Sequence, residues 1–166
     1  PHTNELPKCL LKVGDFAIID YQISALKHCG IDEIVVVLGH CGNILKKHLQ
    51  YDERIIFLEN EKYTSTNSSY SLWCARNYLS GGFLYLNSDL LFSYKMLQKL
   101  LQSKHPDAIV LDKRVNEDDD MFKALVANDQ IFKMEKGLRN AQSMTVVGPA
   151  KFSSNGAEIV LNCLKV

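Results

Sequence analysis

Short apolar runs alternate with apolar stripes of helical spacing through the first two thirds of the chain. The β-branched run Glu33–Leu38 predicts a buried strand, and residues 17–29, directly before it, place apolar side chains on one face of a helix. A helix that leads into a strand, repeated, is typical of an α/β fold with a mostly parallel sheet between helical layers. The same patterns predict helices over residues 43–49, 69–79 and from Ser93 to 101, and strands over 54–58, 82–87 and 108–111.

The pattern changes at about residue 121, where apolar and polar residues alternate. Residues 122–126 and 130–134 flank Asn128-Asp129, which predicts an antiparallel hairpin with a tight turn. Residues 145–148 are a further candidate strand, and a last helix is expected to begin at Ser153 or Ser154 and to run to Leu164. The acidic run Glu117–Asp120 is interpreted as a solvated loop, because consecutive carboxylates repel one another unless a cation is supplied.

Composition sets the scale of the fold and limits its partners. The chain has 166 residues, 46% of them hydrophobic and 23% charged, so we expect residues 1–166 to form one domain with a sizeable core. Nineteen basic and nineteen acidic residues give a net charge of zero. We therefore expect neither nucleic acid nor an anionic membrane as a partner, and an anionic ligand would have to be held locally.

The cysteines at positions 9, 29, 41, 74 and 163 are odd in number and contain no Cys-x-x-Cys pair. This pattern argues against a disulfide framework and against a structural zinc site, and it indicates free thiols in a reducing compartment. No apolar run reaches the ~18 residues that a membrane span requires, and the first residues do not read as a secretion leader. We expect a cytoplasmic protein.

Two charged residues are candidates for binding phosphate and metal. Lys8 follows Pro7 in a stiffened loop, where its ammonium could hold an anion or could simply be solvated. Asp89 follows a predicted strand, and ligands of open α/β sheets bind at the carboxyl ends of strands. Its carboxylate could bind a hard divalent cation or could cap the next helix, although Ser93 is better placed as that cap.

The segment from Asn60 to Trp73 concentrates hydroxyl, amide and aromatic groups at the start of a predicted helix. Thr66, Asn67 and Ser68 could present donors to phosphate or a nucleobase. The alternative is that Ser68 or Ser69 only caps the helix and that the aromatic residues belong to the core. A quaternary ammonium group would bind over aromatic faces, for which the candidates are Tyr63, Tyr70, Trp73 and Tyr85.

Taken together, these segments resemble the nucleotidyltransferase family that joins an NTP to a phosphorylated small molecule. The similarity covers nearly the whole chain and is greatest to the phosphocholine cytidylyltransferase-like branch, for which Thr-Asn and Tyr-Ser-Leu after Asn-x-x-Tyr are fairly specific. It rests on Pro7-Lys8-Cys-Leu-Leu-Lys-Val13-Gly14, Leu26-Lys-His-Cys-Gly30-Ile31-Asp-Glu-Ile-Val-Val-Val-Leu-Gly39, Asn60…Tyr63…Thr66-Asn67…Tyr70-Ser-Leu72 and Asn87-Ser-Asp89.

The resemblance implies a Rossmann-like three-layer α/β sandwich with a mixed, mostly parallel central sheet. It implies transfer of a nucleotidyl group, with CTP as the expected donor, to an acceptor such as phosphocholine, with release of pyrophosphate and with Mg²⁺ as cofactor. Lys8 would hold the NTP phosphates and Asp89 would bind magnesium. The remaining site residues expected for the nucleotide are Thr66, Asn67, Ser68 and Ser88, and those expected for the acceptor are Tyr70, Trp73 and Tyr85.

The sequence departs from the family pattern in three places. The family opens with a Gly-rich loop ending in Arg-Leu, just before the position of Pro1, and a second metal-binding aspartate lies beyond the position of Val166. Ser68 stands where this branch often has asparagine. We therefore expect that the chain lacks both ends of the domain. The alternatives to a cytidylyltransferase are a sugar-1-phosphate nucleotidyltransferase and a non-catalytic binding module that has lost the loop. The residues predict no oligomeric state.

Overall fold

The computed structural model describes residues 6–113 and 120–164, and its order of elements is that of an α/β fold. The helices are α1 (Ile18–His28), α2 (Gly42–Leu49), α3 (Ser68–Cys74), α4 (Tyr94–Leu101) and α5 (Ser154–Leu164), with 3-10 turns at Lys8–Leu10 and Arg76–Tyr78. The strands are β1 (Lys12–Val13), β2 (Phe16–Ala17), β3 (Ile34–Leu38), β4 (Ile55–Glu59), β5 (Phe83–Tyr85), β6 (Ala108–Asp112), β7 (Phe122–Ala127), β8 (Gln130–Lys136) and β9 (Met144–Phe152).

The strands pair in both directions, which confirms the predicted mixed α/β architecture, although most of the described pairs are antiparallel rather than parallel. β3 and β4 are parallel and in register from Ile34↔Ile55 to Leu38↔Glu59. In the second sheet β9 pairs antiparallel with β5, β6 and β7, and β7 continues to β8. β1 and β2 form a separate small hairpin.

The main hydrophobic core lies between α1, α4 and the strands β3 and β4. The predicted apolar stripe of α1 is buried, and Leu97 of α4 is fully inaccessible to solvent. Burying such side chains stabilises each by about 1.5–3 kcal/mol relative to leaving it exposed. The core therefore fixes α1 against the sheet. None of the described helices is long and apolar enough to cross a membrane.

Several elements differ in length from their predictions, and the strand predicted over 82–87 is reduced to Phe83–Tyr85. The predicted helix over 69–79 ends as an α-helix at Cys74 and continues, after Ala75, as the 3-10 turn. The candidate strand over 145–148 extends instead through Pro149 to Phe152. Pro149 is tolerated because the pairing with β6 shifts between Ile109 and Leu111, and a bulge is a place where a residue without an N–H fits.

The predicted hairpin of β7 and β8 is confirmed. Its turn residues Asn128 and Asp129 have φ angles of 51° and 62°, the left-handed values that a two-residue type I′ turn requires. Of the acidic run, residues 117–119 lie outside the described part of the chain, and Asp120 lies in a turn.

Candidate active site

A cavity of about 790 Å³ lies between β3 and β5 and is bounded by α1 and α3. Within the described residues β3 pairs only with β4, and β5 pairs only with β9. Both strands therefore line the cavity without a strand between them. Asn87 and Ser88 also line the cavity. They follow the carboxyl end of β5 and contribute polar groups to the lining.

The Lys8 turn lies against the Asp89 loop. Pro7 begins the 3-10 turn, whose first backbone hydrogen bond runs from the Leu10 N–H to the Pro7 carbonyl at 2.9 Å. Cys9 in this turn is buried, and the Ser88 side chain and the charge of Asp89 both lie close enough to affect the pKa of its thiol. Lys8, Ser88 and Asp89 themselves are exposed. The fold thus brings the predicted phosphate-binding lysine and metal-binding aspartate onto neighbouring turns.

Cys9 does not supply a nucleophile to this place. Burial raises the pKa of its thiol, and the charge of Asp89 raises it further, against the lowering by its own backbone N–H and by Ser88. A thiol with a raised pKa is protonated at neutral pH, and only the thiolate is a strong nucleophile. Cys9 therefore acts as a packing residue between the two turns.

Asn60 organises the loop that leads to α3. Its side chain is buried, donates to the Thr66 hydroxyl at 3.2 Å and the Ser71 hydroxyl at 3.1 Å, and accepts the Lys62 N–H at 2.9 Å. Thr66 in turn donates to the Lys62 carbonyl at 2.7 Å. The Thr66 hydroxyl is therefore already engaged within its own loop, and its expected contact with the nucleotide stays a prediction.

The residue that caps α3 is Asn67. Its side-chain oxygen accepts the N–H groups of Ser69 at 3.0 Å and Tyr70 at 3.4 Å, which is the N-cap arrangement. The alternative that Ser68 or Ser69 provides this cap is therefore wrong. Ser68 is the first residue of the helix and is exposed, and its role toward a nucleotide stays a prediction.

Tyr70, Trp73 and Tyr85, the aromatic residues expected to bind the acceptor, are half-buried. Each already has a polar or charged neighbour from this chain. The Lys62 ammonium lies 5.7 Å from the centre of the Tyr70 ring, and the Arg76 guanidinium lies 4.6 Å from that of Trp73. The Tyr85 hydroxyl donates to the Asn87 side chain at 2.9 Å. A cationic acceptor would compete with Lys62 and Arg76 for the same ring faces.

Comparison with known proteins identifies the family. A model of the MobA-like NTP transferase domain matches residues 3–148, which is most of the chain. The chain belongs to this family. The expected resemblance to the nucleotidyltransferases is thereby confirmed.

Two curated relatives of this MobA-like domain are cytidylyltransferases. The chain is 36% identical over 120 residues to CTP:phosphoglutamine cytidylyltransferase of Campylobacter jejuni, covering 68% of the chain and 47% of the relative. It is 31% identical over 108 residues to choline-phosphate cytidylyltransferase of Streptococcus pneumoniae, covering 63% of the chain and 45% of the relative. The chain thus spans about half the length of these relatives.

Solved structures confirm the predicted fold. The CTP:phosphocholine cytidylyltransferase from Streptococcus pneumoniae superimposes with a TM-score of 0.72 and 20% identity, covering 99% of this chain and 69% of its own. The inositol-1-phosphate CTP transferase from T. maritima has the same TM-score and 22% identity, covering 95% of this chain and 66% of its own. The MobA-like domain therefore has the nucleotide-diphospho-sugar transferase-like α/β fold.

Asp89 supplies one exposed carboxylate to a candidate cation site. No cluster of three or more His, Cys, Asp or Glu side chains that could hold a metal occurs among residues 6–113 and 120–164. Mg²⁺ commonly takes one or two carboxylates and completes its octahedron with water and substrate phosphates. An exposed carboxylate next to a lysine turn is compatible with that chemistry.

Sequence analysis missed Gln22, which contacts the backbone of the Asp89 loop from α1. The available signal was a polar residue among the apolar positions of the α1 stripe. Its partners could not be identified, because they lie in a distant part of the chain.

Proposed function

We propose that this domain belongs to an enzyme that transfers a cytidylyl group from CTP to a small phosphorylated acceptor such as phosphocholine. The observation that carries the proposal is the contact of the Lys8 turn with the Asp89 loop beyond the carboxyl end of β5. Membership of the NTP transferase family supports nucleotidyl transfer, and the cytidylyltransferases among its relatives support CTP as the donor.

The reaction needs no nucleophilic side chain. An oxygen of the acceptor phosphate attacks the α-phosphorus of CTP in line, the new P–O bond forms, and the bond to the β-phosphate breaks to release pyrophosphate. Negative charge accumulates at the α-phosphorus, so catalysis consists of positioning and charge neutralisation. The Lys8 ammonium would neutralise phosphate charge, and the Asp89 carboxylate would hold Mg²⁺, which supplies further positive charge when bound.

A direct assay with a panel of phosphorylated compounds identifies the acceptor. Pyrophosphate release is measured with the full-length protein, magnesium and each NTP in turn, against phosphocholine, phosphorylated amino acids, aminophosphonates, inositol phosphate and sugar 1-phosphates. Reactions without acceptor serve as controls. Release that requires CTP and phosphocholine is the expected result.

Other outcomes would replace the proposal. Release that requires UTP or dTTP with a sugar 1-phosphate would identify a sugar-directed nucleotidyltransferase. If no pair releases pyrophosphate and the protein also binds no NTP, a non-catalytic binding module of the same fold is favoured.

A further inference from the structure

Gln22 is a buried amide on an otherwise apolar helix face. It is 4% exposed and shares the inward side of α1 with Ile19, Ile23 and Leu26. Placing an amide in such surroundings without hydrogen-bond partners is costly. The position is therefore tolerated because the amide makes specific hydrogen bonds.

Those hydrogen bonds go to two backbone carbonyls in the loop after β5. The side-chain nitrogen of Gln22 donates to the Asn87 carbonyl at 2.8 Å and to the Leu90 carbonyl at 2.6 Å. Only the NH₂ group can satisfy two carbonyl acceptors, so the hydrogen-bond pattern itself assigns the amide orientation. Both of its donors are used.

The two carbonyls lie on either side of Ser88 and Asp89. The Leu90 N–H also donates to the Asn87 carbonyl at 3.3 Å and closes the turn between them. Gln22 thus links the two ends of the turn that carries Asp89. Without it, α1 would make neither of these two hydrogen bonds to the turn.

Two further contacts hold the same turn. The Tyr85 hydroxyl donates to the Asn87 side chain at 2.9 Å from β5. The Leu90 side chain packs against Gly148 of β9, where a Cβ would lie 2.3 Å from a Leu90 methyl carbon. The turn is therefore held from a helix and from two strands, with Gln22 making its contact from the core side.

We propose that Gln22 is a positioning residue that holds the Asn87–Leu90 turn and thereby keeps Asp89 beside the Lys8 turn. Its catalytic meaning rests on the proposed function of Asp89, whereas its effect on the turn does not. Both donors of the Gln22 amide are occupied by the two backbone carbonyls. It acts through backbone carbonyls, so its loss should loosen the turn more than it disturbs the fold.

The test compares Gln22→Met, which has similar length and no donors, with Ala25→Gly as the control on the same helix. Ala25 is buried and makes no side-chain hydrogen bond, and glycine there weakens α1 without touching the turn. Amide hydrogen exchange of Leu90, whose N–H closes the turn, is followed in the full-length protein, together with the KM for Mg²⁺ and kcat. We expect Gln22→Met to speed exchange at the turn about tenfold, to raise the KM for Mg²⁺ severalfold and to leave kcat at saturating Mg²⁺ less affected.

The result that supports the proposal is faster exchange at the turn in Gln22→Met and not in Ala25→Gly. Unchanged exchange at Leu90 would overturn it, whether or not the protein turns over CTP. Faster exchange with an unchanged KM for Mg²⁺ in an active enzyme would overturn its link to catalysis. If Gln22→Met does not fold, Gln22→Asn replaces it, because that amide is too short to reach both carbonyls.

Discussion

The Ser88 side chain lies close enough to the Cys9 thiol to lower its pKa, and so links two distant parts of the sequence. Cys9 follows Lys8 directly, and Ser88 precedes Asp89 directly. The contact therefore places a cation and a carboxylate on adjoining turns, where they could act on the same polyphosphate. That arrangement gives the proposed reaction its most direct test.

Lys8→Ala and Asp89→Ala should each lower kcat/KM of the full-length protein by a factor of about 10² to 10³, or roughly 2.7–4 kcal/mol. The reason is the loss of a fixed group that neutralises charge in the transition state. Both side chains are exposed, so the melting temperature should change little. Lys47→Ala, which removes an exposed lysine on α2, is the matched control and should keep wild-type turnover. Full turnover of both site variants would refute the assignment.

Asn67→Ala should destabilise the protein by about 0.5–2 kcal/mol, because the N-cap of α3 is lost. Asn67→Asp keeps an acceptor oxygen and should retain most of that stability. Urea unfolding measures the difference. If Asn67 also donates to the nucleotide, Asn67→Asp will raise the KM for CTP while the protein stays stable. An equal loss of stability in both variants would contradict the capping role.

Gly82→Ala should destabilise the protein by about 1–3 kcal/mol. Gly82 has a φ of 92°, and a Cβ there would lie 2.7 Å from the Phe152 carbonyl oxygen. The neighbouring Gly81 has no heavy atom within 4 Å of a Cβ, so Gly81→Ala is the matched control and should be nearly neutral. Thermal unfolding of the two variants checks the prediction, and a similar melting temperature for both would contradict it.

Asp52→Asn should destabilise the protein at neutral pH and much less in acid. The Lys27 ammonium binds the Asp52 carboxylate and lowers its pKa, and Arg54 contributes at 3.3 Å. A lowered pKa in the folded state stabilises the protein above the ordinary value of about 3.9, and this contribution is lost as the pH falls below that value toward the folded pKa. The check is urea unfolding of wild type, Asp52→Asn and Lys27→Met at pH 7 and pH 3. A wild-type advantage that persists undiminished at pH 3 would disprove the linkage.

Elements set by short stretches of sequence could be predicted well. The β3 run, the α1 stripe and the Asn128-Asp129 turn depend on residues that lie close together in the chain, and all three are confirmed. Pro149 shows the limit of this approach, because it sits within β9 only through a bulge in the pairing with β6. A proline signals a strand end unless the partner strand is known.

The residues of the candidate site differ in the same way, because some can be predicted from nearby sequence and others depend on distant segments. Residue type and local position single out Lys8 and Asp89, and the family resemblance predicts that they belong to one site. Residue type predicts Ser68 or Ser69 as the cap of α3, and only the backbone geometry shows that Asn67 has this role instead. Gln22 could not be assigned, because a buried glutamine has meaning only once the carbonyls that it binds are known.

The position of β9 in the chain bears on the order of folding. β5, β6 and β7 all hydrogen-bond to β9, which is synthesised after them. The parallel pair β3 and β4 is complete much earlier and joins segments closer together in sequence than the pairs of β9 with β5 and β6 do. Since distant pairings require costly loop closure, these two pairs of β9 should form late. In a nascent chain that has not yet reached residue 144, the edges of β5, β6 and β7 that pair with β9 are therefore unpaired. Unpaired strand edges favour aggregation, so protection from it matters during this interval.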